Sequence, residues 1–367
     1  MPNSRTPGTR NPSGGRVDGD AVVVAVVAVV AVAVVAVVAV VVARIRAACA
    51  AAPALPRRVA AAALALPLAL TLVAACAVPT TPGGDIDDRA EFVDTDDRLV
   101  VATTFTILAD MARVVGGDRV QVESVTTPGA DVHYFEPTAG DLRRVEGADL
   151  VISNGLGLDD WLLRFIDGTG ARHVVTTDGI APEPVRSGNS VGHPNPHAWM
   201  SPTDGAEYIR VIADALGEID PAGAAGYTTR ADDYTAELEA LAERARDAVA
   251  TIPPERRVLV TCEGAFSYLA RDLGLEELYL WPVNSENQGL PRQVTALIDE
   301  VREREVPALF CESTVSGDAM EQVASESGSH VAGLLYVDSL SAETGPVPTY
   351  LDLLDHDLHT ITRELTA

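Results

Sequence analysis

PGADVHYFEPTAGD, residues 128–141, sets one histidine, His133, between a Pro-Gly turn and a Glu-Pro turn. The run before it, VQVESV at 120–125, is rich in β-branched residues and reads as a strand. After it, Thr138 and Asp141 stand as an N-cap and its partner three residues on, which predicts a short helix over 138–146. Strand, loop and helix in that order belong to a parallel sheet with covered faces. In such sheets ligands sit beyond the carboxyl ends of the strands. His133 is at that end of its strand.

The same grammar extends in both directions. LVVATT at 99–104 predicts a buried strand and 107–115 a helix. Strands follow at 150–153 and 173–176, with a helix at 159–166 between them. A Pro/Gly/Ser/Asn-rich loop over 182–195 leads through NPHAWMSP (195–202) into a helix at 203–216. Residues 227–249 carry the longest helical pattern. Tyr227, Tyr234, Leu238, Leu241, Ala245 and Val249 form one apolar stripe, with Pro221 before it and Pro253 and Pro254 after it. The alternation then resumes, with strands at 257–262, 278–281, 308–311 and 331–336. Helices at 265–272, 291–303, 318–327 and 350–365 complete it. The expectation is an α/β protein of two similar lobes with parallel sheets: residues 98–220, a linking helix over 221–252, and residues 253–367.

Residues before 98 read as address rather than fold. Residues 21–43 are only Ala and Val, long enough to span a bilayer. They are a transmembrane helix or repetitive DNA translated upstream of the true start. The second reading is favoured, because a complete export signal follows. Residues 1–56 are then a mis-started or low-complexity extension. Residues 57–76 hold Arg57, Arg58, an apolar run and Cys76 within VAAC, which resembles a bacterial lipobox. That resemblance implies cleavage before Cys76, a lipid on its thiol and an extracytoplasmic membrane anchor. Residues 77–97 are a Pro/Gly/Asp-rich tether.

The chain carries a formal net charge of −26, and residues 1–76 hold seven of the arginines and only two acids. The folded part is therefore strongly acidic. This excludes nucleic acid as a partner and favours cations. Four cysteines without a CxxC pair argue against a thiolate zinc site or a redox dithiol.

Three further segments place a potential metal ligand at a strand end: His197, Glu263 and Asp338. Two lobes facing each other along those edges would line a cleft with two imidazoles and two carboxylates. Imidazole suits zinc, iron and copper, while carboxylate shifts preference toward manganese. Singly, each residue has an ordinary alternative. His133 and His197 could be hydrogen-bonded loop residues, Glu263 a helix cap and Asp338 a turn residue. Four at equivalent topological places point to one divalent site.

PGADVHYFEPT, NPHAWMSP, EGAFSYLARDLGL and YVDSL also resemble the ligand segments of the metal-binding lipoproteins of manganese, zinc and iron ABC importers. SENQGLPRQV and FCESTVSGDAMEQVASESG resemble that family's second lobe. The resemblance implies two Rossmann-like lobes joined by one rigid helix, with His133, His197, Glu263 and Asp338 holding the metal in the interlobe cleft. It implies a binding protein that delivers Mn2+, or else Fe2+ or Zn2+, to a membrane permease and its cytoplasmic ATPase. It also implies a monomer, and some relatives have been described as adhesins. The His, His, Glu, Asp set resembles the manganese/iron branch. The alternatives are a zinc-specific protein of the same fold and a secreted metalloenzyme whose site is two histidines and a carboxylate. HExxH is absent from the sequence.

The remaining candidates read as ordinary. His193, His356 and His359 are expected to be solvated, and His173 and His330 structural. Trp161, Trp199 and Trp281 are expected around the cleft or core. Cys262 and Cys311 fall on strands expected to be neighbours. An oxidising compartment would allow a disulfide between them, but neighbouring parallel strands fit disulfide geometry poorly, so free thiols are the favoured of the two readings.

Overall fold

The structure is a computed structural model that describes residues 98–366 apart from 167–168 and 285–288. The extension, the export signal with Cys76 and the tether lie outside the described residues. Residues 91–367 form one compact unit.

The first lobe contains β1 (Leu99–Thr103), α1 (Thr106–Gly116), β2 (Val120–Ser124), α2 (Ala139–Glu146), β3 (Leu150–Ser153), α3 (Asp160–Ile166) and β4 (Arg172–Val175). Its four strands are parallel in the order β2-β1-β3-β4. The cap expected at Thr138 is present: Asp141 N donates to Thr138 Oγ1 at 3.3 Å, and Thr138 N to Asp141 Oδ2 at 2.7 Å. A single 3-10 turn (Ala198–Met200) then leads into α4 (Pro202–Ile219). Ser201 caps α4 by accepting from Asp204 N at 3.0 Å, and Pro202 fills the first helical position, where no N–H is needed.

α4 packs against the long helix α5 (Ala224–Ala250), which leads to the second lobe. That lobe contains β5 (Val258–Glu263), α6 (Ser267–Leu273), β6 (Glu276–Trp281), α7 (Pro291–Glu303), β7 (Ala308–Glu312), α8 (Asp318–Ser327), β8 (His330–Leu335) and α9 (Tyr350–Thr366). Its pairing differs from one continuous ladder. β5 pairs with β6 and β7 with β8, both parallel, as two separate two-stranded ladders.

β5 and β7 lie side by side, and side chains join them. Cys262 and Cys311 form a disulfide, which corrects the expectation of free thiols. The Cα atoms stand 4.9 Å apart, inside the span a disulfide bridges. The general objection to pairs on neighbouring parallel strands does not apply here, because no ladder hydrogen bonds fix the spacing of this pair. One residue on, Glu312 Oε2 accepts from Glu263 N at 3.1 Å.

The core explains why the two lobes are one unit. Along β5 and β7 the side chains alternate between two apolar clusters, as the strand period requires. Leu259, Ala308 and Phe310 face one cluster; Val260, Cys262, Leu309 and Cys311 face the other. The first cluster is shared by both lobes. It runs from Val101 and Ile152 through Tyr227, Leu238 and Val249 of α5 to Phe310 and Leu335, and on to Leu354 and Ile361 of α9. α9 also returns to the first lobe, where Tyr350 N donates to the buried Asp110 carboxylate at 2.8 Å.

Candidate metal centre

Each of the four candidate ligands is delivered by a local device. His133 lies in the loop after β2, where its main-chain N–H donates to Asp131 Oδ1 at 2.8 Å. His197 opens the 3-10 turn. Asn195 Oδ1 accepts from both His197 N (3.1 Å) and His197 Nδ1 (2.8 Å). That bond fixes the proton on Nδ1 and leaves the Nε2 lone pair for a metal. The Asn195 amide is itself held by the second lobe, donating to Gly264 O at 2.6 Å and Ser267 Oγ at 3.2 Å. Trp199 packs beside the His197 ring with centroids 5.1 Å apart, and its indole N–H donates to Val337 O. Glu263 is the last residue of β5, and Asp338 follows β8 by three residues.

The structure brings all four together. One ligand atom from each lies within 4.8 Å of every other. The two Nε2 atoms are 3.0 Å apart. Glu263 Oε1 lies 3.4 Å from His133 Nε2 and 3.5 Å from His197 Nε2; Asp338 Oδ1 lies at 3.7 and 3.9 Å from the same atoms. A cation with bonds of about 2.0–2.2 Å holds its donors at separations of this size. His197, Glu263 and Asp338 are fully buried, and the His133 side chain is 5% exposed.

The electrostatics fit a dication. Burial pushes His133 down to about 4 and His197 well below the usual imidazole range, so both rings are neutral at pH 7. Burial raises Asp338 to about 6. Glu263 is pushed well above the carboxylate range by burial first, then by Asp338 and Glu312. Glu263 Oε2 and Asp338 Oδ1 are buried and have no hydrogen-bond partner. Buried orphan oxygens are rare in native proteins. A 2+ ion among two carboxylates and two neutral imidazoles would satisfy them with the charge balanced.

His133 alone of the four lines a cavity of about 470 Å3, whose wall includes Leu156, Val185, His193, Pro194 and Val283. His193, His173, His330 and His356 lie outside the cluster. His173 pairs with Ser153 Oγ at 2.7 Å, and His356 Nε2 with Leu334 O at 3.1 Å.

Sequence reasoning passed over several residues that support the cluster. Glu312 ends β7 as Glu263 ends β5, so the rule that selected Glu263 could have selected it. It is fully buried, and burial raises its carboxyl to about 8. Thr314 Oγ1 donates to Asp338 Oδ2 at 3.0 Å. Asn195 stands two residues before His197, a spacing at which an Asx side chain reaches the backbone. Asn284, described below, had no local signal.

Comparison with known proteins decides the family. The profile of zinc-uptake complex component A, periplasmic (ZnuA), matches residues 101–364. The chain belongs to this family. Among its relatives is the iron-binding protein YfeA of Yersinia pestis, 46% identical over 271 residues, which span 74% of this chain and 87% of that protein. The manganese-binding lipoprotein MntA of Halalkalibacterium halodurans is 34% identical, over 73% of this chain and 89% of that protein. A Mn-bound periplasmic metal binding protein from Candidatus Liberibacter asiaticus shares the fold with a TM-score of 0.69 and 37% identity. The match covers 73% of this chain and all of that one. Family membership thus agrees with the α/β architecture and with the resemblance carried by the four segments.

Proposed function

We propose that the chain is the extracytoplasmic binding component of a metal importer. It captures a divalent transition ion through His133, His197, Glu263 and Asp338 and hands it to an ABC permease powered by a cytoplasmic ATPase. The observation that carries this reading is the convergence of two imidazoles and two carboxylates, from loops as far apart as 133 and 338, on one buried point. Mn2+ is the favoured cargo, with Fe2+ next. Two carboxylate oxygens suit a harder ion than zinc, and relatives are named for iron and manganese. Zinc binds most such sites more tightly in vitro, so affinity alone does not identify the cargo. Calorimetry with Mn2+, Fe2+ and Zn2+ tests the site, and metal analysis of protein drawn from its own cells under single-metal starvation tests the cargo. Absence of stoichiometric binding of any of the three would sink the reading.

A metalloenzyme would use the 470 Å3 cavity beside His133 as its substrate pocket. Among the described residues its lining is mainly Leu, Gly, Val and Pro, with Ser190 and His193, and carries no carboxylate to serve as a general base. The chain acts as a monomer held to the membrane by a lipid on Cys76. Replacing Cys76 with Ala releases it from the membrane fraction. Retention there would transfer the anchoring role to the Ala/Val run at 21–43.

A further inference from the structure

Asn284 is fully buried and sits where the two lobes meet at the centre. Its main-chain N–H donates to Glu263 Oε1 at 2.6 Å. Its side-chain amide donates to Asp338 Oδ2 at 3.2 Å and, across the cleft, to Asp131 Oδ2 at 3.2 Å. Trp281 Nε1 donates to Asn284 Oδ1 at 2.8 Å, which fixes the amide with its NH2 toward the carboxylates. The Tyr134 hydroxyl of the first lobe donates to Asn284 O. One residue therefore contacts both acidic candidate ligands, and also the loop that carries His133.

We infer that Asn284 is the positioning residue of the centre, a role that rests on the four-ligand reading above. The geometry gives the reason. A carboxylate has two equivalent oxygens and can present either one. Asp338 Oδ2 is occupied by two donors, Asn284 Nδ2 and Thr314 Oγ1, while Oδ1 has none and faces the imidazoles. The Asn284 amide thus selects which Asp338 oxygen meets the ion. Its second N–H holds Asp131, whose other oxygen holds the His133 main chain. The imidazole wall and the carboxylate wall are set relative to each other through this one amide. Aspartate at 284 would present an acceptor to two carboxylates, so the position requires an amide.

The test is a double-mutant cycle on the full-length chain with Mn2+ as probe. Asn284→Ala and Asn284→Leu (close in volume, without the donors) are each expected to weaken Mn2+ binding about 10–100-fold, the usual effect of losing a partner behind a ligand. The Mn2+ electron paramagnetic resonance spectrum should change as Asp338 reorients. Combined with Asp338→Ala, Asn284→Ala should cost less than it does alone, because part of its effect passes through that carboxylate and only the Asp131 arm remains. Binding within about twofold of wild type in both variants, or strict additivity with Asp338→Ala, overturns the inference. So does a fall in metal-free melting temperature with an unchanged spectrum, since that is a structural role alone. If His133→Ala leaves wild-type-like Mn2+ binding, the four-ligand reading itself fails, and this arm shows it independently of Asn284.

Discussion

His133 and Asp338 stand on opposite walls of the centre, and neither contributes to the shared apolar core. Replacing either with Ala should weaken Mn2+ binding by more than about 100-fold, beyond the usual effect of losing a supporting partner, while the far-ultraviolet dichroism stays that of the parent. Titration calorimetry beside dichroism checks both halves of the claim. Protons and metal compete for the same oxygens. Asp338, raised to about 6, must lose its proton to ligate, so affinity should climb as pH rises through 6 and metal binding should release protons. The metal-free protein has the opposite slope above pH 6.5, where loss of protons from the buried carboxyls outweighs the declining protonation of imidazole in the unfolded chain. Glu277 and Glu312 are raised to about 7 and about 8. Their contribution is complete below their unfolded values and is lost as pH rises through the folded ones. Between pH 6.5 and 8 the metal-free protein should lose on the order of 1–2 kcal/mol. Glu312→Gln should flatten part of that slope in denaturation measured across the same range.

At the scale of elements, two contacts set the second lobe. The disulfide between β5 and β7 closes a loop with a sequence separation of 49 residues. Its removal as the double Cys262→Ser, Cys311→Ser variant should cost about 2–5 kcal/mol in chemical denaturation. The other contact is between α4 and α9. A Cβ at Gly205 would meet the Tyr350 hydroxyl, which is buried and donates to Trp199 O. Ala in place of Gly usually favours a helix by about 1 kcal/mol. Here the collision with a side chain that has no room to move should win by about 1–3 kcal/mol, so Gly205→Ala should lower the melting temperature.

The elements themselves were largely legible. α7 and α8 have the boundaries read from the sequence, because Pro291 opens one and Gly328 ends the other in a left-handed turn. All eight strands of the described residues were readable as short apolar runs between turns, although β6 and β7 carry no β-branched residue. The split of the second sheet and the disulfide that crosses it were not, since they depend on how strands from different βα units approach. The four candidate ligands were legible because each ends a strand unit, where the fold itself gives a polar residue a use. Asn284 and Asn195 were not, because an amide is defined by its partners, and theirs lie in other segments.

On the scale of the whole molecule, the apolar cluster shared by both lobes along α5 and α9 makes the lobes mechanically continuous. The described body should unfold in one calorimetric transition, with the calorimetric and van't Hoff enthalpies equal. Saturating Mn2+ should move that transition upward as one step, since a ligand that binds only the native state stabilises all of it. Two resolved transitions would show that the lobes melt separately and that α5 is only a tether.

The same continuity governs when the protein first acquires its ion. His133 and His197 are translated well before Glu263 and Asp338, and β5 and the segment after β8 must be seated before the carboxylates reach the imidazoles. No partial product of the ribosome holds the complete donor set. On the four-ligand reading, the ion is therefore bound in whichever compartment the last strand docks, and the metal available there at that moment has the first claim on the site.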